Sequence, residues 1–190
     1  MSYTAIADVG LSLIELLKEN LTPEPIKKKE KIALCSPADK GDLELTLYLY
    51  NIEEYGQFRI TKMETLPNGD LRNPPSTYSL YYLLTGYSNS QLKSKAYDEH
   101  KILGRAMQVL KDNSVLKGEL LKGSLKGTDQ ELKIEIKNLS YDEMMRIWHF
   151  KDVPYSLSIA YKVAPVLIES TRIKKVNRVV EARFDIKRTR

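Results

Sequence analysis

The segment STYSLYYLLTGYS, residues 76–88, constrains the fold more than any other. Its aromatic and aliphatic side chains fall on both faces of an extended chain. A strand of that kind must be covered on both sides, so it belongs at the centre of a sheet. Its neighbours are supplied by other alternating runs. In DLELTLYLY, Leu43, Leu45, Leu47 and Leu49 face one way and Glu44, Thr46, Tyr48 and Tyr50 the other, the pattern of a half-buried strand. QFRITKM reads as a shorter strand followed by a turn at PNGD. ELKIEIKNL alternates through Leu132, Ile134 and Ile136. VPYSLSIAYKVAPVLI places Tyr155, Leu157, Ile159, Tyr161 and Val163 on one face.

Helical periodicity separates these strands. Ile6, Val9, Leu13, Leu16 and Leu17 form one stripe over residues 4–20, which LTPEPIKKKEK then stops with two prolines and a charge run. A second helix is predicted from about Ser90 to Asp112, and a Gly- and Lys-rich loop from Lys117 to Thr128. LSYDEMMRIW starts a short helix with two independent signals: Ser140 and Glu143 are spaced for a capping box, and Leu139 and Met144 for a hydrophobic staple. The expected fold class is α+β: a mixed sheet of four to six strands packed by a long N-terminal helix, a central helix and a short late helix.

With 190 residues the chain suits one core, or one domain with an appendage. Its single cysteine, Cys35, rules out an intramolecular disulfide and points to a reducing compartment during folding. No run approaches the roughly 18 apolar residues of a membrane span, and the N-terminus lacks a signal-peptide pattern. A soluble protein made in the cytoplasm is expected.

Charge divides the chain unevenly. Residues 171–190, TRIKKVNRVVEARFDIKRTR, hold eight Lys or Arg against two acids; the whole chain is +5, so the first 170 residues carry −1. A basic segment can bind nucleic acid or an anionic membrane; it can equally stay solvated or pair with an acidic protein surface. This one also alternates. Val180, Ala182, Phe184 and Ile186 oppose Glu181, Arg183, Asp185 and Lys187, a pattern that a disordered tail does not need.

The densest group of chemically useful side chains is Asp98-Glu99-His100, within AYDEHKILGRAM. Consecutive helical residues point about 100° apart, so the three cannot converge on one metal. The positions that His100 can reach at i+3 and i+4 are Leu103 and Gly104, neither of them a ligand. His100 is placed at the border of an apolar stripe of Ala96, Leu103, Met107 and Leu110. Asp98 and Glu99 suit a helix start. Gly104 costs about 1 kcal/mol against Ala in a helix, a loss that close packing against the sheet or a neighbouring subunit would explain. His149 follows the short helix, and Cys35 in KIALCS reads as buried and inert. No nucleotide-binding glycine loop, paired-histidine motif or C-x-x-C is present. Nothing argues for an enzyme. Nucleic-acid binding has the basic segment but only Phe184 to stack on a base, and acids interleave Tyr48, Tyr50 and Tyr55.

Three blocks carry a family resemblance: IADVGLSLIELL; YYLLTGYSN followed by YDEHKILGRAMQVLKDNSVLKGELL; and LSYDEMMRIWHFKDVPYSLSIAYKVAPVLIES. From about Ile6 to Ser170 the chain resembles the cap, or tail-terminator, proteins of phage-tail-like contractile injection systems of the antifeeding-prophage and virulence-cassette type. DEH…LGR, LKGELL and PY…Y.V.PV are specific as a set. The resemblance implies a ring, generally a hexamer, on the baseplate-distal end of tube and sheath, where it ends polymerisation and helps set length. It implies a tail-terminator fold over residues 1–170. It brings no catalytic residue, metal or cofactor, and no small-molecule substrate, nucleic acid or membrane as partner. Bacterial or archaeal cytoplasmic synthesis and incorporation into a particle are expected with it. Members of the family can carry a larger C-terminal portion, where this chain has the basic stretch Thr171–Arg190. That arm is expected to supply a strand through Val180, Ala182, Phe184 and Ile186, while Arg172, Lys174, Lys175 and Arg178 meet an acidic surface on a neighbouring subunit or sheath. The alternatives are a connector or completion protein elsewhere in the tail, or a nucleic-acid-binding protein using the arm.

Overall fold

The computed structural model of the chain describes residues 3–56, 60–90 and 92–176. Helix α1 (Ala5–Leu21) buries Val9, Leu13, Leu16 and Leu17 along one side, as a 3.6-residue period requires. The chain continues through β1 (Ile32–Leu34), β2 (Leu45–Glu54), a small hairpin of β3 (Glu64–Thr65) and β4 (Leu71–Arg72), and the long β5 (Ser76–Gly86). Then come α2 (Leu92–Asp112), β6 (Val115–Leu116), β7 (Leu132–Ile136), α3 (Tyr141–Ile147), β8 (Ser158–Ile168) and β9 (Ile173–Lys174).

Among the described residues the main sheet has six strands in the order β1-β2-β5-β8-β7-β6. Its pairs are antiparallel except β1 with β2, so the sheet is mixed, as expected. β5 lies inside it and is buried on both faces. On one face Leu80, Tyr82 and Leu84 join Leu47, Val163 and Ile134 in a core shared with α1 and α2. On the other, Leu83 packs with Met144 and Trp148, bordered by Tyr48, Tyr50 and Phe150. The short helix α3 is held in place as its sequence predicts. Ser140 and Glu143 form the capping box, and Leu139 packs in the cluster of Met144.

That second layer corrects one expectation. DLELTLYLY is more than half-buried: Thr46, on the face read as polar, is 0% exposed. Periodicity reports one covered face, but the aromatic residues after α3 cover the other. Tyr48 meets Phe150 edge-on with centroids 5.8 Å apart, and Phe150 meets Trp148 at 5.7 Å. The last predicted strand begins later than its alternation suggests. Tyr155 and Leu157 precede β8, and the Tyr155 ring stands against Trp148 at 5.6 Å. In QFRITKM, residues 60–63 are not strand, and 57–59 lie outside the described residues. The pairing is displaced to β3 and β4 around the PNGD turn, where Gly69 takes φ +86°.

The stripe on α2 also differs from the expected one. Ile102, Leu103, Ala106, Val109 and Leu110 are buried, whereas Ala96 and Met107 are exposed. Gly104 faces open space and makes no close approach to the sheet. The glycine that does is Gly86, where a Cβ would stand 3.0 Å from Leu103 Cγ and 3.4 Å from the Glu99 carbonyl oxygen. The helix crosses the end of β5 there.

The Lys117–Thr128 segment is a loop with a fixed course. Leu121 and Leu125 are core residues, and the backbone between them is tied to α1. Asp8 accepts hydrogen bonds from Ser124 N–H (3.0 Å), Ser124 Oγ (2.6 Å) and Thr4 Oγ1 (2.8 Å). Ser12 Oγ accepts from Lys122 N–H at 2.9 Å. Burial alone would raise the Asp8 carboxyl, but the bonds from Ser124 and Thr4 outweigh it and hold it below the usual aspartate range. Gly123, at φ +60°, lies so close that a Cβ would run into that carboxylate.

Candidate assembly surface

The Asp98-Glu99-His100 group does not assemble a site. His100 is exposed, and Asp98 and Glu99 are half-buried on α2. Glu99 accepts from the Ser88 N–H at 3.3 Å and lies 4.0 Å from the Lys95 ammonium. It thereby ties the loop after β5 to the start of α2. Among the described residues no group of three or more His, Cys, Asp or Glu side chains could hold a metal. His149 is exposed just after α3. Cys35 is half-buried rather than fully buried; burial and the nearby Asp39 charge push its thiol upward, which disfavours the reactive thiolate.

Of the arm residues expected at an interface, Arg172, Lys174 and Lys175 are described and exposed. Arg178, Val180, Ala182, Phe184 and Ile186 lie outside the described residues. The root of the arm folds onto its own chain. β9 pairs antiparallel with β4, Leu71 opposite Lys174 and Arg72 opposite Ile173. Asn73 N–H donates to the Arg172 carbonyl at 3.1 Å, and Val176 N–H to Asp70 Oδ1 at 3.3 Å. Arg72 also binds Glu169 at 2.6 Å, just after β8. The alternating sequence gave no sign of this second, three-stranded sheet, because its strands are two residues long.

One apolar feature of the surface was not anticipated. A groove of about 490 Å³ runs between the start of α1 and the outer side of β2, lined by Tyr3, Ile6, Leu34, Leu47, Leu49 and Tyr82 among others. Tyr3 is 90% exposed and Leu34 46%. Gly10 lets α1 approach Leu34 closely; a Cβ there would stand 2.8 Å from Leu34 Cδ1. Tyr82 is 1% exposed, and its buried hydroxyl has no hydrogen-bond partner among the described residues. Burial pushes that phenol far upward.

The groove lies where the sheet is incomplete. β1 covers the outer edge of β2 only as far as Leu47, which pairs with Leu34 and accepts from the Cys35 N–H at 3.2 Å. β2 continues to Glu54 along β5. Among the described residues no strand pairs with its outer side after Leu47. A register shift between Leu49 and Asn51 marks a bulge there, a common device at exposed edges. The Ile52 N–H turns to the Asn51 side-chain oxygen at 2.9 Å. Ile52 pairs with Leu80, so it continues the helix-side face of Leu47 and Leu49, yet it is 42% exposed. Glu53 is on the opposite face, where it accepts from the Tyr81 hydroxyl at 2.7 Å. Burial and that carboxylate push the Tyr81 phenol up to about 12.

A family model described as the Pvc16 N-terminal domain matches residues 8–182. Two solved structures share the fold. One is described as an anti-feeding prophage cap (AFP tube terminating cap): TM-score 0.64, 17% identity, 95% of this chain and 61% of that one. The other is the PVC sheath/tube terminator, in its extended state, of an extracellular contractile injection system: TM-score 0.61, 19% identity, 96% of this chain and 65% of that one. The chain thus spans less than two thirds of the length of either structure. No curated protein sequence matches it.

Proposed function

We infer the function of this chain from one premise: it belongs to the Pvc16 N-terminal domain family. On that premise it is a structural cap of a contractile injection particle. It forms a ring, a hexamer by the family resemblance, on the baseplate-distal end of tube and sheath, ends their polymerisation and helps set their length. The observation that carries this reading is the shared fold. An α+β core spanning 95–96% of the chain superposes on two proteins described as terminators, in the span that the family model covers. The role needs surfaces and no chemistry, so no catalytic step, metal or cofactor is assigned. The chain is made in the cytoplasm of the producing cell and leaves it as part of the particle.

Capping has a simple physical requirement. A head-to-tail contact extends indefinitely unless its rotation closes, and a closed ring leaves no free end within its own layer. One face of that ring then matches the last tube or sheath layer. Residues 1–170 form the body of the cap in this reading and residues 171–190 its arm. Arg172, Lys174, Lys175 and Arg178 meet acidic surface, while Val180 to Ile186 add a strand to another sheet.

Deletion of the gene from a particle-producing strain tests the role. Electron micrographs should show tubes or sheaths of variable, increased length without the terminal ring, and complementation should restore both. An unchanged length distribution would overturn the reading. A ring labelled at the baseplate-proximal end would replace it with a connector role.

A further inference from the structure

We propose that the outer edge of β2 from Tyr48 to Glu53, with the apolar groove beside it, receives residues 180–186 of a second copy of this chain as an added strand. The proposal rests on the ring reading for its choice of a second copy, and on the local structure for the rest.

Backbone comes first. An edge without a ladder partner is a template for another strand, and among the described residues no strand pairs with the outer edge of β2 from Tyr48 to Glu53. Six residues of strand measure about 20 Å and the seven of 180–186 about 24 Å, at roughly 3.4 Å each. The lengths match.

Side chains agree with the backbone. An added strand at this edge lays alternate residues on the two faces of the sheet. The helix-side face beside it is apolar and open, formed by Leu34, Leu49 and Ile52. Val180, Ala182, Phe184 and Ile186 are the apolar series that such a face would bury. The opposite face carries negative charge. Glu53 lies on it, and Glu143 is near enough that both carboxylates act on Tyr50. The residues brought there, Glu181, Arg183, Asp185 and Lys187, are two acids and two bases with no net charge, so complementarity on this face is local: Arg183 or Lys187 stands opposite Glu53 and Glu143.

A second copy is the fitting donor. Every subunit then carries one donor segment and one acceptor edge at different places, which is a heterologous contact, the type that closes rings.

Single cysteines test the contact in the full chain with Cys35→Ser as background. One protein carries Ile52→Cys, at an exposed position. Its partners carry Val180→Cys, Ala182→Cys, Phe184→Cys or Ile186→Cys, one at a time. The mixtures are oxidised gently, both alone and assembled with tube and sheath. A disulfide-linked dimer formed only in mixtures, at one or two adjacent arm positions, is expected. Arg183→Glu added to the linking protein should lower the yield about two- to fivefold, the effect of one exposed ion pair. If the link forms only within one chain carrying both cysteines, or in neither setting, the proposal is overturned. Terminal rings in the same preparations report on the cap role separately. Rings without the link sink the proposal and spare the role; the link without rings does the reverse.

Discussion

Asp8 holds two parts of the molecule together with one carboxylate, receiving bonds from Thr4 on its own helix and from Ser124 in the Lys117–Thr128 loop. Its carboxyl is held below the usual value of 3.8. A group depressed by folding contributes stability that is complete above its unfolded value and lost as pH falls through the folded one. Thermal stability should therefore drop on acidification below about pH 4, near the unfolded aspartate value, and Asp8→Asn should remove that part of the drop. At neutral pH Asp8→Ala should cost about 1–3 kcal/mol, the range for losing charge-assisted hydrogen bonds, measured by denaturant unfolding. Gly123→Ala should destabilise the same junction, since it places a Cβ against Asp8 at a positive φ. None of this was legible in the sequence. Asp8 reads as an ordinary first-turn acid, and its partner Ser124 is 116 residues away. Gly86 and Gly104 illustrate the same difficulty. An unusual residue in a helix attracted the structural role, while the glycine that two elements press against ends a strand.

At the scale of elements, local signals were the legible ones. The capping box at Ser140 and Glu143 lies within four residues, and the structure reproduces it bond for bond. Ser140→Ala should cost about 1 kcal/mol, seen as a lower Tm with little change in the rest of the fold. Trp148→Ala should cost about 3–5 kcal/mol, because this ring joins Phe150, Tyr155 and Leu83 in the layer beneath β5. Alternation also identified β2, β7 and β8, and apolar side chains on both faces identified β5. It misjudged how much was covered, because periodicity records only which side chains are apolar. Thr46 looks like a surface residue and is fully buried, between Ala33 of β1 and Thr85 of β5. The groove beside β2 was invisible for a related reason. Its lining comes from α1, β1 and two central strands, and no stretch of sequence contains the set.

For the whole molecule, the family and fold were accessible from the order and spacing of three blocks, and the match over residues 8–182 bears that out. The role of the arm is separable by truncation. Ending the chain after Ser170 removes β9 with the rest of the arm, whereas ending it after Val176 keeps the pairing with β4. The shorter chain should unfold at lower temperature than the longer one, measured calorimetrically. Both should lose ring formation by light scattering if the arm joins neighbouring subunits. A chain ending at Val176 that still closes rings would assign ring contacts to the body alone.

Because β9 is fastened to β4, the arm is a tether of fixed origin. The four steps from Val176 to Val180 can span at most about 14 Å at roughly 3.6 Å per residue. A folded chain of this size has a radius of gyration of about 16 Å. The tether can thus engage an adjacent subunit but cannot range over a ring. Once two subunits touch, a short tether raises the effective concentration of its segment to the millimolar range. A clasp too weak to hold free subunits together would then hold assembled ones. Lengthening the tether with a flexible insert between Val176 and Val180 would dilute that advantage without altering a single contact.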